Sequence, residues 1–385
     1  MNFELTDDRR MLADTLSRYL REKYPIEHRM AHTDSSPGYS TASYLDLCEL
    51  GIGGALMPES CGGFGGSGFD IAVVFEELGR GLCLEPFLSS TVLSANLLHD
   101  CAPGDQQHLI SALMDGTKTA SLGCYEPASR YTLNHIECSA SANDRGWVLN
   151  GRKSQVINGD SADYLIISAR TSETVDSETG ISLFLLPATN SPGLELQHYQ
   201  TVDGYRGCNA MLSDVVVPSN ALLGNTDEGF AVLEKSIARG VVALCAEALG
   251  AMQVCKEMTV DYLQTRKQFG VPIGKFQVLQ HRTVDLLIEI EQSRSAVINA
   301  AGHLDADRAT RERYVAAAKN LIGRAARLIS EEAIQIHGGI AMTWEYALSH
   351  YAKRLVMIDH LLGDTDHHLQ RFSRFSADAL NQQAV

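Results

Sequence analysis

WVLNGRKSQVINGDSADYLIISART, residues Trp147–Thr171, is the stretch on which the reading of the fold turns. Two runs rich in Val, Ile, Leu and Tyr are separated by an Asn-Gly turn at Asn158-Gly159, the pattern of strands joined by tight turns. The same texture extends on both sides, in TASLGCYE, IECSASA, ISLFLLPA, LELQHYQ and NAMLSDVVV, so Lys118 to Leu223 is predicted to be an antiparallel β domain.

Outside that segment the period is helical. DDRRMLADTLSRYLREKY (Asp7–Tyr24), FDIAVVFEELGRGL (Phe69–Leu82) and STVLSANLLHD (Ser90–Asp100) place apolar residues at steps of three and four. From Phe230 to Arg266, FAVLEKSIARGVVALCAEALGAMQVCKEMTVDYLQTR predicts one long helix of small and apolar residues, and the helical pattern then runs to the end. Gly62, Gly63, Gly65, Gly66 and Gly68 predict a flexible loop, read either as a connector or as the edge of a ligand site. No solenoid-type repeat is present.

Composition narrows the functional classes. The chain has 385 residues, 45% of them hydrophobic, and a formal charge of -15 without a clustered cationic face, which argues against nucleic acid as a partner. No membrane span is predicted, and the charged, amphipathic N-terminal stretch reads as cytoplasmic rather than as a signal peptide. Nine cysteines at irregular spacings, without a CxxC pair, read as reduced buried thiols.

Three segments hold candidate chemistry. In YLQTRKQFGVPIGKFQVLQH (Tyr262–His281) a guanidinium, an aromatic ring and a carboxamide, at Arg266, Phe269 and Gln277, flank a turn marked by Gly270 and Pro272, suited to a diphosphate and a flat ring or simply a capped helix turn. Gln335 precedes Gly338-Gly339, where bare backbone lets a large ligand approach or a helix ends. LLGDTDHHLQRF (Leu361–Phe372) sets Asp364, Asp366, His367 and His368 close together, but adjacent helical residues point about 100° apart, so no metal site is expected. Asp364 reads equally as an N-cap and as an acid/base group.

Together with their order, LGIGGALMPESCGGFGG, FEELGRGL, VLNGRKSQVINGDSADYLIISART, TRKQFGVPIGKFQ and QIHGGIAMTWEY resemble the acyl-CoA dehydrogenase family over essentially the whole chain. The texture is closest to small or β subunits of two-component bacterial members of the pimeloyl-CoA or steroid-CoA type. The resemblance implies an α+β multi-domain fold: an N-terminal helical domain (1–117), a central antiparallel β-barrel-like domain (118–224) and a C-terminal four-helix bundle (225–385). It further implies FAD, an acyl-CoA substrate desaturated to the trans-2-enoyl thioester, an electron-transferring flavoprotein as acceptor, and a homotetramer or a heterotetramer with a larger subunit.

Residue by residue, the family's diphosphate and adenine contacts, which come from the neighbouring subunit, fall on Arg266, Phe269, Gln277, Gln335, Gly338 and Gly339, and its flavin-ring strands on Cys124, Tyr125, Val156 and Ile157. Here the chain departs from the family: Tyr125 stands where Thr precedes Glu-Pro, and Gln155-Val156-Ile157 replaces Trp-Ile-Thr. The catalytic base falls on Asp364 counting back from Arg371, or on Gly363 if Thr365 is matched to the family Thr. Arg239 matches an arginine near the base, with Gly240 where some members carry the base, and Glu247 is a remote alternative on the same helix. The resemblance leaves open an active dehydrogenase, a non-catalytic subunit that supports a partner's FAD, and an oxygen-using oxidase or monooxygenase on the same fold.

Overall fold

The computed structural model describes residues 5–101 and 106–383; residues 1–4, at the head of the amphipathic N-terminal stretch, lie outside the described residues. Helices α1 (Asp7–Lys23), α2 (Ile26–Thr33), α3 (Thr41–Glu49), α4 (Ile52–Ala55) and α5 (Gly68–Gly81) come first, followed by a π-helical segment (Phe87–Ala95), α6 (Asn96–Cys101) and α7 (Gln107–Met114). Strands β1 (Ala120–Gly123), β2 (Ser139–Asn143), β3 (Gly146–Ile157), β4 (Tyr164–Arg170), β5 (Ile181–Pro187), β6 (Leu194–Gln200), β7 (Arg206–Val217) and β8 (Leu222–Leu223) form the middle. After them come α8 (Gly229–Thr265), the ribbon β9 (Lys267–Gln268) and β10 (Val271–Pro272), α9 (Gln277–Gly302), α10 (Arg308–His337), α11 (Leu348–His360) and α12 (Thr365–Gln383). By internal contacts the chain forms two compact units, one of residues 30–66 and 84–240, the other of residues up to 29, 67–83 and 241 onward.

The first unit holds the sheet, in the order β6-β7-β3-β2-β4-β5-β8 with β1 on β4. Its neighbours are mostly antiparallel, but β1 runs parallel to β4 over four residue pairs, and β2 makes a single parallel pair with β4. The sheet is therefore mixed, which corrects the antiparallel expectation. The β2–β3 hairpin lies between β1 and β4 in sequence, and such a crossover permits parallel pairing that local turn signals do not reveal. Buried Leu165 to Ala169 make β4 a core strand.

The glycine-rich segment is not the flexible loop expected from its composition. Phe64, Gly65 and Gly66 donate backbone N–H groups to the carbonyls of Gly54, Met57 and Ala55, and a Cβ on Gly63 or Gly65 would strike the Met57 or Ala55 carbonyl. Close backbone approach, not mobility, accounts for these glycines.

In the second unit Ser67 and Asp70 form a capping box at the start of α5, and Gly68 is that helix's first residue. Arg9 of α1 clamps the box through Asp70 (2.8 Å) and Ser67 (3.0 Å). Helix α8 contains an apolar stretch long enough to cross a membrane, against the expectation that none would approach that length, but 83% of its window is buried inside the protein. Within this unit the chains of α5 and α8 meet at glycines: a Cβ on Gly79 would strike the Glu247 carbonyl, and one on Gly250 the Glu76 carbonyl. All nine cysteines are free thiols, seven of them buried.

Candidate active site

Asp364 caps α12. Its Oδ1 accepts the backbone N–H of His367 at 2.8 Å, and its carbonyl accepts that of His368 at 3.0 Å. The carboxylate is half-buried, and Oδ2 has no hydrogen-bond partner among the described residues. The turn before it takes two left-handed residues, Leu362 (φ 55°) and Gly363 (φ 105°). Asp359 braces the far side, accepting the N–H (3.1 Å) and hydroxyl (2.7 Å) of Thr365. Gly363 brings no side chain, so of the two register alternatives only Asp364 carries a carboxylate.

The two histidines serve the same turn. His368 is buried and donates Nε2–H to the Leu362 carbonyl (3.0 Å), its ring perpendicular to that of His367. Burial drives His367 down to about 4 and His368 well below the ordinary histidine value, so both are neutral at pH 7.

Lys319, which the sequence reading passed over, stands beneath the turn. It is fully buried on α10 and donates to the carbonyls of Gly363 (2.6 Å) and Asp359 (3.0 Å). Its signal in the sequence was a lysine amid Val315, Ala316, Ala318 and Ile322, a charge on a helical face that is otherwise core.

Glu247, the alternative base, is committed elsewhere. Both its oxygens are held by the Arg354 guanidinium at 2.5 and 2.8 Å, with both side chains buried. A carboxylate in a bidentate buried pair has no free oxygen aimed at a substrate. Arg239 is likewise engaged: its guanidinium reaches Asp100 at 2.6 and 3.5 Å, with Lys235 at 3.9 Å from the same carboxylate.

In the sheet unit, Tyr125 pairs with Ser154, whose N–H it accepts at 2.8 Å, so the segment after β1 lies beside the end of β3. Cys124, Tyr125 and Val156 are buried and Ile157 is half-buried. Gln155 and Asn158 have positive φ, and the β3–β7 register shifts between Lys153 and Val156, a bulge that re-aims the strand end. Unforeseen from sequence is the ion pair beneath: Lys153 meets Glu126 at 2.5 Å, both buried, and Glu126 also accepts the N–H of Glu137 (2.7 Å) and Cys138 (3.1 Å). Glu126 follows Tyr125 and Lys153 precedes Gln155, so this pair ties the two segments together.

The remaining candidates lie at the C-terminal ends of α8 and α10, on the β9–β10 turn and at the start of α9. The Tyr262 ring stacks on His337 with centroids 4.4 Å apart, tying the end of α8, just before Arg266, to the end of α10, just before Gly338-Gly339. Gly270 is the tip of the β9–β10 hairpin rather than a helix cap; with φ 54° at Phe269 and 82° at Gly270, the turn holds the Phe269 ring 90% exposed. Arg266, Gln277 and Gln335 are exposed. A Cβ on Gly338 or Gly339 would meet no atom within 4 Å, and Gly338 adopts φ 70°, ψ −146°, which is restricted to glycine. A guanidinium without a side-chain partner among the described residues, a carboxamide, an outward ring and open backbone fit the adenosine diphosphate end of FAD. At the ring end the fit is through backbone and apolar side chains, since Ile157 offers no hydroxyl.

Comparison with known proteins agrees along the chain. The acyl-CoA dehydrogenase N-terminal, middle and C-terminal domain models match residues 6–117, 121–216 and 227–376. A probable acyl-CoA dehydrogenase of Bacillus subtilis, YngJ, is 30% identical, over 96% of this chain and 98% of its own. Butyryl-CoA dehydrogenase from Megasphaera elsdenii superposes with a TM-score of 0.87 at 25% identity, over 97% of this chain and 99% of that one. The ChsE4–ChsE5 complex from Mycobacterium tuberculosis shares the fold, with a TM-score of 0.88 at 24% identity over 98% and 99%. The chain belongs to the acyl-CoA dehydrogenase family of oxidoreductases.

Proposed function

We propose that this chain desaturates an acyl-CoA thioester between Cα and Cβ, with FAD as cofactor and Asp364 as the base. The observation that carries the reading is the free Oδ2 of Asp364, set on a turn braced by Asp359, His368 and Lys319. Bound FAD supplies the hydride acceptor. Arg266, Gln277 and the Gly338-Gly339 backbone would hold the diphosphate, and Phe269 the adenine, of the FAD in a neighbouring subunit, while the segments at Cys124-Tyr125 and Val156-Ile157 would hold the ring system of this chain's own.

The chain's own part is proton removal and placement. One Asp364 oxygen stays on the His367 amide, which fixes the carboxylate, while Oδ2 takes the proton from substrate Cα. Docked acyl chain and flavin would exclude water from the half-buried carboxylate. The neutral histidines add no cation to compete for it. An electron-transferring flavoprotein is the electron acceptor in this reading. Exposed Val278, Val284, Leu287 and Ile288 along α9, with Phe269 outward, support assembly into a tetramer of this chain or with a larger subunit.

A second reading, a supporting subunit that holds a partner's FAD, is favoured by the missing hydroxyl at Ile157 and by Arg239 being spent on Asp100. One measurement separates the two: flavin counted per protomer in the purified chain, before and after anaerobic addition of butyryl-, octanoyl- and palmitoyl-CoA and a steroid-side-chain thioester. Bound flavin that bleaches supports the dehydrogenase; colourless protein that gains flavin only with a partner subunit supports the second reading.

A further inference from the structure

We propose that Lys319 is a positioning residue for Asp364: its ammonium grips the Gly363 carbonyl from helix α10 and thereby sets where the adjoining carboxylate stands. The inference rests on the reading of Asp364 as the base.

Burying an ammonium costs several kcal/mol unless it is matched, and a methionine would fill the same volume without that cost. The usual match is a carboxylate, yet among the described residues Lys319 Nζ donates to two main-chain carbonyls, Gly363 at 2.6 Å and Asp359 at 3.0 Å. These two acceptors bracket the α11–α12 turn. A charged donor to a carbonyl is stronger than a neutral one, so the charge is used to hold backbone.

That backbone needs holding. Leu362 and Gly363 both lie in the left-handed region, and a Cβ on Gly363 would come within 2.6 Å of His368 Nε2. Neighbouring groups complete the grip, with His368 on the Leu362 carbonyl and Asn320, next to Lys319 on α10, donating to the Thr365 carbonyl at 2.9 Å. Four carbonyls around Asp364 are thus pinned by side chains. Precision matters more for an aspartate than for a glutamate, because a carboxylate on the shorter arm has less reach, and a misplacement of about 1 Å costs on the order of 100-fold in rate.

Titratable groups face Lys319 from every element packed against it. Cys245 comes from α8, Asp359 from α11, Asp364 from the turn, and His367 and His368 from α12, with Arg371 beyond them. Burial draws the lysine down to about 8, which leaves the charged, gripping form dominant at neutral pH.

The test is a double-mutant cycle on the flavin-loaded protein, Lys319→Met against Asp364→Asn, with two readouts. The first is amide exchange at His367 and His368, whose N–H groups bond to Asp364; it needs no substrate. Lys319→Met is expected to speed exchange there about tenfold. The second is anaerobic flavin reduction by the best of the four thioesters named above. Lys319→Met is expected to slow it about 100-fold with KM within about threefold, and to add nothing in the Asp364→Asn background. Unchanged exchange and rate in Lys319→Met, or a full further loss on top of Asp364→Asn, overturns this proposal alone. Full activity in Asp364→Asn overturns the base reading, and this proposal with it. If Lys319→Met fails to fold, Lys319→Gln, which keeps a donor, enters the same cycle; failure of both assigns the lysine to folding and overturns the proposal.

Discussion

Asp364 Oδ1 accepts the backbone N–H of His367 at 2.8 Å while Oδ2 stays without a partner among the described residues, so one side chain is divided between helix cap and proposed base. The two roles separate by substitution. Asparagine caps about as well as aspartate but cannot take a proton, so Asp364→Asn should leave the urea midpoint nearly unchanged and slow flavin reduction about 10²- to 10⁴-fold. Asp364→Ala should lose the same activity and about 1 kcal/mol of stability besides. Equal destabilisation by both variants would mean that the cap is not what Oδ1 provides.

Glu247 and Arg354 give the opposite signature. Their pair is buried and bidentate, and removing one charge strands the other, so Glu247→Gln should cost about 3–5 kcal/mol in urea unfolding. Flavin reduction per folded, flavin-loaded protomer should stay within about threefold of the parent, since a pure stability effect does not reach the chemical step. A large fall in that rate with little loss of stability would restore Glu247 as a base.

The order of elements was legible because it is written in periodicity: the switch to strands at Ala120 and back to a helix at Gly229 follows the change of side-chain pattern directly. The small residues of α8 were legible as well, since Gly250 proved to be a site of close helix contact. What periodicity does not encode is pairing across a crossover, which is why β1 on β4 went unseen. The gripping roles of Lys319 and Lys153 were hidden for another reason. A buried lysine is identifiable as an anomaly, but its acceptors, Gly363 in one case and Glu126 in the other, are 44 and 27 residues away in the chain. Phe269 shows the converse: its exposure follows from a two-residue turn with both φ positive, and FGV alone does not dictate that turn.

Two glycines with unlike surroundings test that contact. At Gly250 a methyl group would run into the Glu76 carbonyl across the α5–α8 contact, so the helices must separate, and Gly250→Ala should cost 3 kcal/mol or more, at about the upper end of overpacking penalties. At Gly270 the methyl group would meet nothing within 4 Å, leaving only the price of φ 82°, about 1–2 kcal/mol. Urea unfolding of the two variants should therefore rank them, Gly250→Ala well below Gly270→Ala. The reverse order would contradict the close crossing.

Acid should weaken the protein through the same turn that carries Asp364. Burial is the largest cause that lowers His367, to about 4, with the Arg371 guanidinium next, and burial likewise lowers His368. An unfolded histidine binds its proton near pH 6.5, so between that pH and about 4 the unfolded chain holds more protons than the folded one. Stability therefore rises with pH across this window and is lost as pH falls through it, the sign expected of a base kept neutral by burial. His367 is half-buried, so solvent screening reduces its share to on the order of 1–3 kcal/mol. In His367→Phe the slope of unfolding free energy against pH between 6.5 and 4 should flatten by close to one proton relative to the parent, measured by urea denaturation at each pH. Parallel slopes in the two proteins would mean that His367 titrates normally and that the turn around Asp364 is open to water.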